Sequence, residues 1–294
     1  SRSPRHNARM AACRLVPSCA SVLLALGLAP AAAAGGTPHA DFENGVDGGW
    51  FGMQGDDGVG GGTWHEPTGG NPSGCLHTVF NNFGIGFYNV SDPSWACDWT
   101  EATQVTVSID IRVSSISFFG QNVSRPWVLE LRDRDGATGG YPWNSVWIRL
   151  ATISAATHGQ WTTLSVTFDP RSTVLPPGWR GSGAEDPVTY EPVLPAGVTF
   201  ADVLAGVDTV AFTTLQPGMF FGFTDHDIRI DNVRVERTVP SPADLNGDGA
   251  VNGDDLGMLL GAWGPAAGSP ADLNQDGMVD GIDLGMMLAA WTTP

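Results

Sequence analysis

The chain has no lysine; all 14 of its basic residues are arginine. Four of them (Arg2, Arg5, Arg9 and Arg14) precede Leu15, so the remainder sets 10 positive charges against 31 negative ones, a formal net charge of −21 (10 − 31). A surface so short of cations repels phosphate backbones and anionic lipid, because affinity for both rests on Lys and Arg neutralising negative charge. Nucleic acid is excluded as a natural partner, and divalent cations are favoured. Long hydrophobic runs are missing as well. The stretch 20–30 (ASVLLALGLAP) is apolar but shorter than the roughly 20 residues that cross a bilayer, so no membrane span is expected. It follows an arginine-bearing segment and precedes alanines at A-x-A spacing, the pattern of an export signal cleaved after Ala34. Residues 1–34 are thus a leader, and the protein is expected outside the cell or at its surface.

Cysteine is scarce too. Of 4 cysteines, Cys13 and Cys19 leave with the leader. Cys75 and Cys97 remain, and in an oxidising compartment they are expected to form one disulfide, closing a loop of about 23 residues at a gain of roughly 3 kcal/mol. Two free buried thiols are the alternative. What is abundant is glycine (39) and proline (21), with charged residues at only 15%, which suits short strands joined by turns. A length of 294 residues suits two domains.

An internal repeat closes the chain. Residues 243–263 recur as 271–291, a period of 28. Each copy opens with a loop in which oxygen-bearing side chains occupy positions 1, 3, 5, 9 and 12: Asp244, Asn246, Asp248, Asn252 and Asp255, then Asp272, Asn274, Asp276, Asp280 and Asp283. Gly249 and Gly277 hold position 6, and Ala250 and Met278 offer backbone carbonyls at position 7. Calcium takes six to eight hard oxygen ligands, and a 12-residue loop of this spacing wraps the chain around the ion. Prolines before each loop exclude an entering helix, so each loop leads into one helix with a stripe at i, i+3, i+4 and i+7: Leu256, Leu259, Leu260, Trp263, and Leu284, Met287, Leu288, Trp291. Helices of about ten residues with glycine inside (Gly257, Gly285) are marginal alone, so folding and metal binding are expected to be coupled. From Ser241 onward there are 8 aspartates and no basic residue, and without metal this segment repels itself.

Paired loop-helix repeats of this form (D-x-N-x-D-G-x-[VI]-[ND]-x-x-D) resemble the type I dockerin module over residues 244–291. The resemblance implies a cohesin-like domain or cell-surface scaffold as partner, in a setting of polysaccharide binding or degradation. Loop positions 10 and 11, which help choose the cohesin in that family, are here Gly253-Asp254 and Gly281-Ile282. A tail that is only a structural calcium-stapled unit of a surface protein is the competing expectation.

Residues 41–237 alternate with period two in several places, as half-buried strands do: Val105, Val107, Ile109, Ile111 and Val113; Leu164, Val166 and Phe168; and stretches at 127–131, 146–150, 209–213 and 228–235. Turn signals separate them. The expected body is mostly β, a jelly-roll sandwich, joined by a linker (238–243) to the small α-helical calcium-binding module at 244–294. Asp41-Phe-Glu-Asn-Gly with Gly49-Trp50, and the closing run 228–235, resemble the first and last strands of jelly-roll, galactose-binding-like carbohydrate-binding modules. That resemblance implies terminal strands lying side by side, a calcium near them with Glu43 and Asp231 as ligands, and a polysaccharide ligand.

Nine of the 11 tryptophans fall in this region. Aromatic faces stack on the apolar face of a pyranose. Trp50, Trp127 and Trp161 sit in strand patterns and read as core, while Tyr141, Trp143 and Trp179 sit in Gly/Pro-rich loops and are the candidate sugar contacts. A glycoside hydrolase or polysaccharide lyase is the alternative function. A glycosidase needs two facing carboxylates, and Glu130-Leu-Arg-Asp-Arg-Asp135 and Asp225-His-Asp227 are the nearest candidates; both read as surface structure.

Overall fold

The computed structural model describes residues 37–53, 61–90, 92–137 and 140–292. The expected leader, 1–34, lies outside the described residues. Described residues all fall in one contact unit, Gly36–Pro294. Within it are two hydrophobic clusters that share no residue, one in the β-rich body and one in the C-terminal repeats.

The body runs β1 (His39–Ala40), a 3-10 turn at Glu43–Gly45, β2 (Phe51–Gly52), β3 (Gly61–Glu66), β4 (Cys75–Asn82), β5 (Gly86–Asn89), β6 (Gln104–Phe118), β7 (Gln121–Asn122), β8 (Arg125–Asp133), β9 (Asn144–Ile153), α1 (Ala155–His158), β10 (Thr162–Phe168), β11 (Trp179–Ser182), β12 (Ala184–Glu185), β13 (Pro192–Val193), α2 (Phe200–Ala205), β14 (Thr209–Thr213) and β15 (Thr224–Thr238). Among the described residues these strands form two large antiparallel sheets and a separate β12–β13 pair. Sheet A has the order β10-β6-β15-β4-β3, with β1 on β15 and β7 on β6; sheet B has the order β11-β9-β8-β14-β5-β2. The protein is therefore mostly β, a two-sheet sandwich.

Alternation explains the layering. In β6 the branched residues Val105, Val107, Ile109, Ile111 and Val113 are all fully buried. Their side chains share one face of the pleat, and Trp127, Leu129 and Leu131 of β8 supply the facing layer. In β15 the phase slips. Ile228 and Ile230 point inward, then Val233 and Val235, with a register shift between Asp231 and Arg234 and Asn232 at φ 47°. This bulge aims two successive side chains, Asp231 and Asn232, at one polar cluster.

First and last strands do lie side by side, but His39 and Ala40 make the pairing, opposite Arg234 and Val233. The expected opening strand Asp41-Phe-Glu-Asn-Gly is a turn instead, because Phe42 takes a left-handed conformation (φ 51°) and drops its ring into the core.

In the tail, each loop leads directly into its helix, α3 (Gly253–Gly261) and α4 (Gly281–Ala289), and the short strands β16 (Gly264–Pro265) and β17 (Met278–Val279) pair. Each helix is opened by a reciprocal capping box, Asn252 with Asp255 and Asp280 with Asp283. The apolar stripes are only partly used. Leu259 and Met287 are fully buried and Leu256 and Leu284 pack beside them. Leu260 (51% exposed), Trp263 (50%), Leu288 (54%) and Trp291 (37%) remain outside. Both helices end at an alanine C-cap before the tryptophan, so the last turn of each expected stripe leaves the packed face.

Candidate functional site

The outer face of sheet B carries a row of residues aligned by register across six strands: Arg180 opposite Trp147, Trp147 opposite Glu130, Glu130 opposite Ala211, Ala211 opposite Tyr88, and Tyr88 opposite Phe51. Period-two alternation puts this row outside because the neighbours on either side, such as Leu129, Leu131, Val210, Phe212 and Phe87, fill the core. Around the small Ala211, polar groups are locked in place. Glu130 is 3% exposed and accepts from Arg132 Nη2 at 2.6 Å and Ser145 Oγ at 2.7 Å. The Arg132 guanidinium lies 4.3 Å from the Trp143 ring centre and 5.3 Å from that of Tyr88, so it stitches two aromatic rings to the carboxylate. Burial pushes the Tyr88 phenol up from its ordinary value.

At one end of the row lies a cleft of about 460 Å³. Trp147, Arg149, Arg180, Glu191, Gln216 and Met219 are among the residues that line it. Gln216 Oε1 accepts from Arg149 Nε at 2.9 Å and also from its Nη2. A concave, mainly polar site with one aromatic side chain, Trp147, and several hydrogen-bonding groups on a sheet has the character of a small-molecule or sugar site.

Of the three aromatic residues expected to contact sugar, the structure brings Trp143 to this face, between Arg132 and Arg134. Tyr141 is half-buried and donates from its hydroxyl to Glu185 at 2.8 Å, a bond that pushes the phenol up. Trp179 is a correction. It belongs to β11, is 5% exposed, and packs edge-on against Phe168 and Phe200 in the core. The proline-glycine turn before it made it look like a loop residue, yet strand pairing with Ile148 turns its ring inward. Trp50 and Trp127 are core as expected; Trp161 is only half-buried. Pattern reading passed over Trp147, Arg149, Arg180 and Tyr88. For Trp147 and Arg149 the alternation with core residues in 146–150 was the available signal.

The outer face of sheet A is built differently. His77, 6% exposed, places Nε2 2.8 Å from Asp227 and Nδ1 3.1 Å from Glu66, and Arg229 bridges the same two carboxylates at 2.7 Å (Glu66) and 3.2 Å (Asp227). The Trp64 ring lies 4.6 Å from the imidazole. The Asp225-His-Asp227 cluster is split by the pleat: both aspartates face out, while His226 is 1% exposed and burial pushes it down to about 4.

The expected disulfide is absent; Cys75 and Cys97 are both free thiols. Their surroundings differ. Cys75 meets Glu66 across the β3–β4 ladder, and burial with that carboxylate beside it pushes its thiol up to about 12. Cys97 sits near Arg237, Glu101 and Asp98.

At the β15 bulge, three carboxylates gather. Asp231 accepts from the Asn71 backbone N–H at 2.5 Å, and burial pushes it up to about 7, with Asp110 and Glu43 adding to the rise. Asp110 accepts from Asn71 Nδ2 (3.0 Å) and Asn232 Nδ2 (2.9 Å). Glu43 accepts from the Ser73 hydroxyl and from the backbone N–H groups of Ser73 and Gly74, and these donors hold it below the ordinary glutamate value. A side chain at Gly70 could not be accommodated, since a Cβ would lie 1.8 Å from the Gly74 carbonyl and 2.9 Å from Asp231.

In the tail the two loops repeat nearly the same bonds; where Gly247 N–H donates to the Asp244 carboxylate, Gln275 N–H donates to the Asp272 backbone carbonyl instead. Asp255 Oδ1 accepts from Leu245 and Asn246, and Asp283 Oδ1 from Leu273 and Asn274. Both aspartates are fully buried. Burial raises them, yet backbone donors outweigh it and hold both below the ordinary aspartate value. Gly249 and Gly277 have φ of 91° and 92°, a left-handed turn that favours glycine. Asp244 and Asp272 accept from the backbone of Gly249 and Gly277 in the same way. Among the described residues, no three His, Cys, Asp or Glu side chains converge into a preformed metal centre; the loop donors also include asparagine amides and backbone carbonyls.

No family model matches the chain, and no curated protein matches it. Among solved structures it is similar to an exo-beta-agarase, at 20% identity and TM-score 0.39 over 70% of this chain and 25% of that one. It is similar to the C-terminal family 22 carbohydrate binding module of a Clostridium thermocellum protein, at 12% identity and TM-score 0.35 over 68% of this chain and 92% of that one. It is also similar to a family 30 carbohydrate-binding module of a cellulosomal cellulase of Clostridium thermocellum, at 10% identity and TM-score 0.35 over 64% and 91%. The chain thus spans a quarter of the agarase and nearly all of the two modules.

Proposed function

We propose that this is an exported polysaccharide-binding protein that holds a sugar chain against sheet B and attaches to a partner through a calcium-folded tail. The observation that carries the first half is the row Arg180–Trp147–Glu130–Ala211–Tyr88–Phe51, which crosses all six strands and opens at one end into the cleft. Phe51, exposed, with Tyr88 and Trp143, half-buried, and hydrogen-bonding groups fixed beside them match a polymer whose pyranose rings have an apolar face and an equatorial fringe of hydroxyls, while Trp147, Glu130 and Ala211 form the buried middle of the row.

The tail reading is supported by its donor chemistry. Ten oxygen-bearing side chains at calcium spacing, the left-handed glycines and the absence of any basic residue fit two calcium ions, held by Asp244, Asn246, Asp248, Ala250, Asn252 and Asp255 and by Asp272, Asn274, Asp276, Met278, Asp280 and Asp283. Exposed Leu260, Trp263, Leu288 and Trp291 offer a cohesin-like partner an apolar surface. Glu43 and Asp231 are the proposed ligands of a third calcium, whose charge would offset the repulsion that raises Asp231.

The test is retention of the full chain on insoluble cellulose, xylan and agarose and in affinity gels. Phe51→Ala and Trp143→Ala are each expected to weaken binding about three- to tenfold, the worth of one aromatic contact. Unchanged retention in both variants would rule out this face.

A further inference from the structure

Arginine is rare in this chain and carboxylates are not: beyond Leu15 there are 31 acidic residues for 10 arginines. Three of the five exposed arginines among the described residues have accordingly found an acid: Arg134 lies by Asp208, Arg171 by Asp169 and Arg234 by Glu236. Arg149 bonds the uncharged amide of Gln216 instead. Arg180, exposed on β11 at the end of the row on sheet B, has no side-chain hydrogen bond or ion pair among the described residues.

It lines the cleft with Arg149, whose guanidinium is fixed by Gln216. Trp147 lines it too, and its indole N–H is buried with no partner among the described residues. One acid, Glu191, completes the charged lining, outside ion-pair distance of either arginine. The cleft thus gathers two guanidinium groups and an unused indole donor against a single carboxylate. A neutral sugar hydroxyl both donates and accepts, and would leave this surplus of donors and positive charge unmet. A carboxylate or sulfate only accepts and is matched by the planar fork of arginine.

We propose that the cleft selects an anionic sugar unit, bearing a carboxylate or a sulfate, with Arg180 and Arg149 as its anchors. This rests on reading sheet B as the glycan-binding face and names the class of glycan. The protein's overall negative charge opposes a polyanion at long range, but at about 0.15 M salt the screening length is about 8 Å, so distant carboxylates fade while contacts inside the cleft persist.

The experiment is affinity electrophoresis of the full chain at that salt in four gels: polygalacturonate, its fully methyl-esterified form, a sulfated galactan, and the same galactan desulfated. At least one anionic form should bind about tenfold more tightly than its neutral counterpart, the scale of one charge-assisted contact. The polygalacturonate and sulfated arms tell carboxylate from sulfate. Arg180→Ala, at an exposed and unpartnered position, should abolish the preference; Arg180→Lys should keep part of it; Arg171→Ala, on a distant exposed pair, should leave it intact. Equal binding of the charged and neutral forms overturns the anionic assignment while sheet B stands as the glycan face. A preference that survives Arg180→Ala overturns the cleft as its source. Retention in none of the four gels also overturns the assignment, and the retention of the Phe51 and Trp143 variants on neutral polysaccharides then judges the face itself.

Discussion

The sandwich and the tail differ most in how much apolar surface they bury. Among the described residues, the sandwich buries a cluster of 33 apolar side chains, including Trp50, Trp99 and Trp127. The tail buries six, Ala243, Val251, Leu259, Ala271, Val279 and Met287, two of them alanines. Burial stabilises by about 25 cal/mol per Å² of apolar surface, so the first cluster contributes far more than the second. On the proposed reading the loops of oxygen donors, closed on calcium, make up the difference as a staple does in small domains. The comparison teaches that the size of the buried core marks where along one polypeptide a need for added stabilisation is to be sought.

The sharpest way to break this comparison is to remove calcium. Chelation is expected to abolish the helices of the tail and leave the sandwich folded, seen as loss of far-UV helical signal and a red shift of Trp263 and Trp291 emission. Amide exchange across α3 and α4 that stays slow after chelation would show that the tail needs no metal. The converse disruption is Trp127→Ala. It removes a fully buried ring and should cost the sandwich about 3–5 kcal/mol while the calcium response of the tail persists; a joint loss would mean that the two fold as one.

Acid should separate them next. His226 is buried with its folded value at about 4, below the ordinary 6.5. Between those values the unfolded chain binds the extra proton, so stability is intact above about 6.5 and declines as pH falls toward 4, by about 3 kcal/mol in all. His158, also shifted down by burial, acts in the same direction. All six histidines precede the tail. Urea midpoints of the sandwich should therefore slide through this window and flatten in His226→Leu; a slope unaltered by that variant would assign the acid limb elsewhere. The smallest effect concerns glycine. Gly257 sits inside α3 with open space around its Cβ position, so Gly257→Ala should stabilise the calcium-loaded tail by about 0.8–1.0 kcal/mol. Gly249→Ala, also in open space but at φ 91°, should destabilise it by about 1–2 kcal/mol. Equal signs in the two would contradict the loop geometry.

Much of this could be read along the chain. The expected segments fall inside β6, β8, β9, β10, β14 and β15; β10 alternates cleanly, while β8 and β14 are buried on both faces and β15 slips at its bulge. Strand β4 was not legible. Cys75-Leu-His-Thr-Val-Phe-Asn-Asn buries both faces at its start: Thr78 lies 2.6 Å from Thr63 hydroxyl to hydroxyl and His77 joins the Glu66–Asp227 network, so polar residues are inside without breaking the strand. The aromatic residues expected to meet sugar ended in different places. Trp143 reached the face through arginine stacking, whereas Trp179, behind a proline-glycine turn, was drawn into the core by its ladder with β9.

What the sequence determined by itself is whatever depends on spacing along one stretch: strand alternation, loop ligand positions, the capping boxes, the overall charge. These are local, and backbone geometry converts them directly into structure. Only the tertiary structure decided which residues from six strands share a row, that Arg180 has no acid within reach, and that Cys75 and Cys97 have separate neighbours. Those facts depend on which strands pair and in what register, and register is fixed by the summed packing of both sheets rather than by any one segment.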